Sequence, residues 1–429
     1  MHDAGTTPDA SPDRAAAPSW LKALGPGLIT GAADDDPSGI ATYSQAGAQF
    51  GYGMLWTLLF TYPLMAGVQI VSARIGRVTG HGLATNIRRF YPPWLLHGIV
   101  ILLLAANTIN IGADLAAMGE AAQLAGGGPK HVYAIGFGLL SIVLQVFIPY
   151  RRYVRVLKWL TLALLAYVAT AFVVQVPWSR LLSAALPSLS WQPAYITTMV
   201  AVFGTTISPY LFFWQASQEV EELRTQRHGK PLKDDPGNAP AALRRIKIDT
   251  YVGMGFSNLV AFFIMLTSAA TLHARGVTGI ATSAQAAEAL RPIAGEFAFL
   301  LFSMGIIGTG LLSIPVLAGS AAYAMAGAFK WESSLEHKPT VAPQFYGIIV
   351  LSTLIGVALG FTALDPIKAL YWSAVLNGVI SVPIMAVMML MVARHDIMGR
   401  FVARPRLKAL GWLATSVMAA AVLAMLITA

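Results

Sequence analysis

Three adjacent carboxyl groups interrupt an apolar stretch near the start of the sequence: Asp34, Asp35 and Asp36. The stretch 21–48 is otherwise apolar enough for a membrane helix. An ionisable group at membrane depth costs about 2.5–3.5 kcal/mol on insertion scales, so it usually faces a partner or a pathway. Pro37 and Gly39 also weaken the helix there, and lipid cannot replace the hydrogen bonds that are lost. An acidic break in a membrane helix predicts an ion-binding transporter helix, and an extramembrane loop is the alternative.

A second break of the same kind lies in a later apolar stretch, at Gly204-Thr205-Thr206-Ile207-Ser208-Pro209-Tyr210. Pro37 and Pro209 are 172 residues apart, which is the length of five membrane spans with their loops. One proline kink is common in membrane helices. Two interruptions in corresponding positions predict an inverted-repeat transporter with its central site between them.

The composition supports a protein with many membrane spans. Of 429 residues, 56% are hydrophobic and 11% are charged, and the mean hydropathy is +0.63. A soluble domain carries about 25% charged residues. The chain has no cysteine, which excludes disulfides and thiolate ligands, and we expect no cofactor.

Eleven apolar stretches predict eleven spans, with bounds good to a few residues. They are Leu24–Ala48, Tyr52–Ile75, Trp94–Leu124, Val132–Ile148, Val154–Val176, Tyr195–Gln218, Ile246–Leu272, Phe297–Phe329, Phe345–Phe361, Lys368–Ala393 and Leu407–Thr428. Repeat one covers about 24–176, repeat two about 195–393, and the last helix about 407–428. Residues 1–19 are polar and predict a disordered cytosolic tail before a single membrane domain at 20–429. The stretch 219–245 predicts a solvated cytosolic loop.

The basic residues indicate the orientation of the spans. With the N-terminus in the cytosol, 24 of the 29 Lys and Arg residues fall on the inner side. The five outer ones are Lys130, Arg180, Arg275, Arg291 and Lys368. This bias follows the positive-inside rule. The net charge of +9 therefore reflects the orientation of the spans in the membrane and does not indicate nucleic-acid binding. We therefore expect a bacterial inner-membrane protein whose C-terminus lies outside.

Five stretches of the sequence form a distinctive set of motifs: Gly25-Pro26-Gly27, Asp36-Pro37-Ser38-Gly39-Ile40-Ala41-Thr42, Gln45-Ala46-Gly47-Ala48-Gln49-Phe50-Gly51-Tyr52, Ser72-Ala73-Arg74-Ile75-Gly76-Arg77-Val78-Thr79-Gly80 and Asp114-Leu115-Ala116. They resemble the natural resistance-associated macrophage protein (NRAMP) family of divalent-metal transporters. The resemblance covers spans one to six well. It implies an all-α, LeuT-like fold, with two inverted five-helix repeats, an eleventh helix and broken helices one and six. It also implies metal transport by alternating access.

The sequence departs from this family at the residues that contact the metal. The family's D-P-G-N motif keeps its Asp as Asp36, whereas Gly39 stands in place of the metal-binding Asn. In the family's M-P-H motif, Ser208 replaces the Met ligand and Tyr210 replaces the His linked to proton transfer. In span three, Ala117 stands where many members carry a Glu in the proton path.

These departures favour a harder ion. Without a thioether, the remaining ligands are oxygens: the Asp36 carboxylate, backbone carbonyls near Asp36 and Thr205, the Ser208 hydroxyl, and water. Mg²⁺ prefers such ligands and keeps several waters, and the smaller residues predict a larger cavity for a hydrated ion. The predicted metal site is therefore Asp36, Gly39, Thr205 and Ser208. The pattern resembles the NRAMP-related magnesium transporters, which implies Mg²⁺ and Mn²⁺ uptake without tight proton coupling.

Other polar residues are candidates for the ion path: Asp34, Asp35, Tyr210, Gln45, Gln215, Asp114 and Asn377. Each has a structural alternative. Three adjacent carboxylates repel one another, so one of them is protonated or faces a water-filled vestibule, for which Asp35 is the candidate. The glutamines and Tyr210 equally suit helix packing, and Asp114 equally suits pairing with a basic residue. Asp36 is the first choice as metal ligand, and its structural alternative is a helix cap.

The sequence thus predicts a secondary carrier or facilitator that moves Mg²⁺ first and Mn²⁺ second into the cytosol. The alternatives are a proton-coupled Mn²⁺/Fe²⁺ symporter, a sodium-coupled carrier of organic solutes, and an intramembrane enzyme that uses the aspartates as an acid–base pair. The sequence has no H-E-x-x-H, no G-x-S-x-G and no P-loop, so we expect neither a hydrolase nor an ATPase. The expected partners are divalent ions and the lipid bilayer, and we expect a monomer.

Overall fold

The computed structural model describes residues 30–31, 33–149, 152, 160–174, 176, 184, 186–225, 229–362 and 365–428. The tail predicted at 1–19 and the start of span one lie outside these residues. So does part of span five.

The described residues form thirteen helices of at least eight residues and no strand. They are α1 (Pro37–Phe50), α2 (Leu55–Thr79), α3 (Leu83–Phe90), α4 (Pro93–Gly126), α5 (Lys130–Phe147), α6 (Leu165–Val173), α7 (Pro193–Thr206), α8 (Pro209–Thr225), α9 (Ala239–Thr271), α10 (Ala298–Phe329), α11 (Pro343–Leu359), α12 (Pro366–Ala393) and α13 (Pro405–Thr428). Eight helical stretches of this part of the chain are long and apolar enough to cross a membrane. Apart from spans one and five, which are only partly described, each predicted span contains a helix or, in span six, two half-helices. Helix α3 is an addition that the sequence pattern did not predict.

Both predicted interruptions are present as breaks in the helices. Residues 30, 31, 33 and 34 are helical, and α1 begins only at Pro37. In span six, α7 ends at Thr206 and α8 begins at Pro209. In each case a proline opens the second half-helix, where its missing N–H costs nothing because the first turn has no acceptor for it.

Glycines let the helices that surround the two breaks pack backbone to backbone. A Cβ added at Gly204 on α7 would lie 2.1 Å from the carbonyl oxygen of Ala374 on α12. A Cβ added at Gly31 would lie 2.2 Å from the carbonyl oxygen of Gly253 on α9. Small residues are the usual means of close helix approach in membranes, because apolar burial supplies little force there.

The stretch 219–245 differs from the loop that the sequence predicts. Helix α8 continues to Thr225 and α9 begins at Ala239. Ion pairs stabilise these helical ends, since Arg245 lies 2.7 Å from Glu219 and 2.6 Å from Glu222. The charged side chains at the ends of these two neighbouring helices therefore pair with one another, where we expected a solvated loop.

The close contact at Gly204 gives a stability prediction. Gly204→Ala forces the new methyl group into the backbone of α12, which cannot yield as a flexible side chain would, and overpacking costs about 1–3 kcal/mol. We expect a lower midpoint of thermal unfolding, measured by the intrinsic fluorescence of the 10 tryptophans in detergent.

The matched control is Gly347→Ala in α11, where an added Cβ meets nothing within 4 Å. Alanine is the better helix former, so this change is neutral or stabilising. Equal unfolding midpoints for the two variants would contradict the packing role of Gly204.

Candidate metal site

Asp36 lies at the break of span one and caps α1. Its Oδ1 accepts hydrogen bonds from the backbone N–H of Gly39 at 2.7 Å and from the Ser38 hydroxyl at 2.6 Å. Its Oδ2 accepts a hydrogen bond from the side-chain amide of Asn110 on α4 at 3.0 Å. The residue is only 1% exposed. A carboxylate at a helix N-terminus satisfies free N–H groups, and its remaining lone pairs stay available for a cation.

The two breaks meet beside Gly39. A Cβ on Gly39 would lie 3.2 Å from Thr205 Oγ1, 3.3 Å from the Tyr43 ring and 3.5 Å from Asp36 Oδ1. Thr205 Oγ1 and Asp36 Oδ1 thus border the same small space beside Gly39. The larger cavity expected from Gly39 is not present in this conformation, because Thr205 and Tyr43 fill that space.

Ser208 lies between the two halves of span six. Its hydroxyl donates to the carbonyl oxygens of Gly204 at 2.9 Å and of Thr205 at 2.8 Å. These carbonyls belong to the last turn of α7, which the break leaves without helical partners. Ser208 therefore caps this end with its hydrogen, while its oxygen lone pairs remain free to accept.

Tyr210 and Gln215 connect α8 to the short helical segment before the first break. The Tyr210 hydroxyl donates to the carbonyl oxygen of Ala33 at 3.1 Å, and Thr30 donates to the side-chain oxygen of Gln215. All four residues are buried. Tyr210 thus satisfies a backbone carbonyl beside the break.

Asp34 and Asp35 point toward α9. The hydroxyl of Ser257 lies 2.6 Å from Asp34 Oδ2 and 3.1 Å from Asp35 Oδ1. One hydroxyl is therefore shared by two carboxyl groups. Asp35 is 2% exposed, so the expectation that it faces an open vestibule is wrong for this conformation. The sequence analysis did not identify Ser257, although its spacing of four from Gly253 places both on one face of α9.

A polar stripe runs along the buried face of α4. Asn107, Asn110 and Asp114 follow one another at spacings of three and four, so they share one helix face. Asp114 accepts a hydrogen bond from Ser313 of α10 at 3.2 Å. Asn107 donates to the carbonyl oxygen of Leu317 on the same helix at 2.8 Å. The sequence analysis assigned no role to Asn110.

The other two candidates differ in position. Asn377 of α12 is 1% exposed, and neither polar atom of its side chain has a hydrogen-bond partner among the described residues. It lies one helical turn from Ser373, whose hydroxyl donates to Asn110. The side-chain oxygen of Gln45 instead accepts a hydrogen bond from the backbone N–H of Ile280 at 2.8 Å. Gln45 also lines a separate cavity of about 520 Å³. The structure therefore brings Gln45 to that cavity and not to Asp36.

A family model for natural resistance-associated macrophage protein-like proteins matches residues 27–428. The chain belongs to this family. It is a family of divalent-metal transporters, so the protein is an integral membrane transporter and not an enzyme.

Solved structures show the same fold. A manganese transporter from Eremococcus coleocola superposes with a TM-score of 0.75 at 17% identity, covering 95% of this chain and 87% of that one. Mhp1, a nucleobase-cation-symport-1 family transporter, gives 0.57 at 12% identity, covering 94% and 90%. MhsT in complex with L-phenylalanine gives 0.57 at 14% identity, covering 94% and 97%. The protein thus has the LeuT-like fold that the sequence predicts.

Proposed function

We propose that this family member carries Mg²⁺ first and Mn²⁺ second into the cytosol, by alternating access and without coupled protons. The position of Asp36 carries the proposal, since this buried carboxylate lies where two broken helices meet. Irregular backbone at membrane depth is tolerated where it lines an ion site. The proposed ligands are Asp36, a backbone carbonyl of Thr205 and the Ser208 hydroxyl, with Gly39 leaving room for water as the site opens.

The chemistry around Asp36 supports a hard ion. Its neighbours are hydroxyl, amide and backbone groups of Ser38, Gly39, Asn110 and Thr205. Oxygen ligands suit Mg²⁺ and Mn²⁺, whereas a thioether would favour softer ions. The Eremococcus coleocola protein with the same fold is a manganese transporter, which supports a divalent metal as the class of substrate.

The membrane potential suffices to drive uptake. A doubly charged ion gains about 4.6 kcal/mol per 100 mV when it moves to the negative side. We propose a bacterial inner membrane, a cytosolic N-terminus, an outer C-terminus and a monomer. The second candidate, a proton-coupled Mn²⁺/Fe²⁺ symporter, requires a proton relay. Against it, the Tyr210 hydroxyl is engaged with the carbonyl oxygen of Ala33, and Ala117 has no titratable group.

Removing the central carboxylate tests the site. We expect Asp36→Ala to reduce Mg²⁺ and Mn²⁺ uptake into liposomes to the level of empty vesicles, because this change removes the proposed carboxylate ligand. The control is Asp365→Ala, since Asp365 also precedes a proline and caps a helix, α12, through the N–H of Ile367. Loss of a cap alone would affect both variants alike. Wild-type uptake by Asp36→Ala would exclude this site.

Sulfur introduced at position 208 tests the selectivity. We expect Ser208→Met to raise uptake of Mn²⁺ and Cd²⁺ relative to Mg²⁺, because a thioether favours softer ions. Uptake is measured in competition between the ions. Ser208→Ala is the control, since it removes the hydroxyl without adding sulfur. An unchanged ion ratio in Ser208→Met would show that position 208 does not contact the ion.

Internal pH tests the absence of proton coupling. We expect no acidification of liposomes when an inside-negative potential drives Mg²⁺ or Mn²⁺ entry, because a phenol is a poor proton carrier at neutral pH where imidazole is a good one. A pH-sensitive dye inside the vesicles reports the result, and empty liposomes give the leak. Metal-dependent acidification above that leak would favour the proton-coupled alternative.

A further inference from the structure

The carboxylate of Asp36 has a partner on a different helix. Asn110 of α4 is fully buried and donates from its Nδ2 to Asp36 Oδ2 at 3.0 Å. Its own Oδ1 accepts a hydrogen bond from the Ser373 hydroxyl of α12 at 2.6 Å. Asn110 of α4 therefore links the carboxyl group of Asp36 to Ser373 of α12.

The first helix itself offers no side-chain amide at position 39 beside this carboxylate. Position 39 is glycine, and even a Cβ there would press on Thr205 and on the ring of Tyr43 at 3.2 and 3.3 Å. An asparagine at this position would not fit in this conformation without movement of both neighbours. The amide that accompanies Asp36 in this protein comes instead from α4.

An amide can serve both states of an ion site. Its N–H donates to a carboxylate when no ion is bound, and half a turn about its last bond presents its carbonyl oxygen in the same place. The turn is needed on binding, because the N–H hydrogens carry positive charge and would face the cation. Ser373 permits this exchange, since a hydroxyl accepts as readily as it donates.

We propose that Asn110 is a metal-binding residue: its amide holds Asp36 in the empty site and turns its oxygen to the divalent ion, or to a water of that ion, in the loaded site. Ser373 orients the amide in both states. This inference rests on the proposed function, namely on Asp36 as the ligand of a transported ion.

Substitutions at Asn110 test whether this residue is a ligand of the ion or only a hydrogen-bond donor to Asp36. We expect Asn110→Ala to raise the KM for Mg²⁺ and Mn²⁺ about tenfold or more, which is the range for losing a polar contact to a charged group. Asn110→Asp keeps an oxygen ligand. Two carboxyl groups this close share one proton in the empty site, and both oxygens are available to the ion when it binds, so we expect this variant to transport with a KM near or below that of the wild type. Ser373→Ala should raise the KM by a smaller factor.

The matched control is Asn107→Ala. Asn107 is an equally buried amide one turn away on α4, bonded to Leu317 and Ser320 of α10 and not to Asp36. We expect a lower unfolding temperature but an unchanged KM. If Asn107→Ala raises the KM as much as Asn110→Ala, or if Asn110→Asp transports no better than Asn110→Ala, then Asn110 acts only through packing or donation and the inference is wrong.

Asp36→Ala in the same series distinguishes this inference from the proposed function. Loss of transport in Asp36→Ala together with a wild-type KM in Asn110→Ala overturns only the role of Asn110. Wild-type transport in Asp36→Ala overturns the site as a whole. Tryptophan fluorescence confirms that each variant is folded, and Asn110→Asp, which keeps the size of the side chain, decides the question if Asn110→Ala does not fold.

Discussion

A helix that stops inside a membrane exposes N–H and C=O groups that lipid cannot satisfy, and the structure around both breaks follows from this constraint. Asp36 accepts from the first N–H groups of α1, and Ser208 donates to the last carbonyls of α7. Tyr210 reaches across to the free carbonyl of Ala33. The same polar side chains that make the breaks tolerable include the ones that we propose as ligands of the cation.

Capping and ion binding compete for the same carboxylate. Asp36 Oδ1 takes two donors from its own helix, and these contacts are local, so they persist when neighbouring helices move. Oδ2 takes its donor from α4, which is a contact between helices. One oxygen therefore holds the half-helix together, and the other is the one whose partner is free to change. This division would let one side chain serve both the fold and the proposed ion.

The sequence predicts the breaks well because their causes are local: proline, small residues and an acid at the cap. It also leads us to expect Thr205 and Asp36 in one site, since the family resemblance relates the two breaks, and both residues border the space beside Gly39. It does not predict Asn110 or Ser257 as partners of the aspartates, because those contacts span 74 and more than 220 residues. The cavity expected at Gly39 is not present, because Tyr43, on the next turn of α1, and Thr205, on another helix, fill the space.

The three aspartates of the first break are divided between different helices. Asp34 and Asp35 are held by Ser257 of α9, whereas Asp36 is held by Asn110 of α4. The segment before the break also packs on Gly253, one turn from Ser257 on the same face of α9. Movement of this segment away from α9 would release the contacts of Asp34 and Asp35 together and leave the cap of Asp36 intact. The proposed alternating access around Asp36 would break the contacts of this segment with Ser257, Gly253, Tyr210 and Gln215, with the broken backbone before α1 as the hinge.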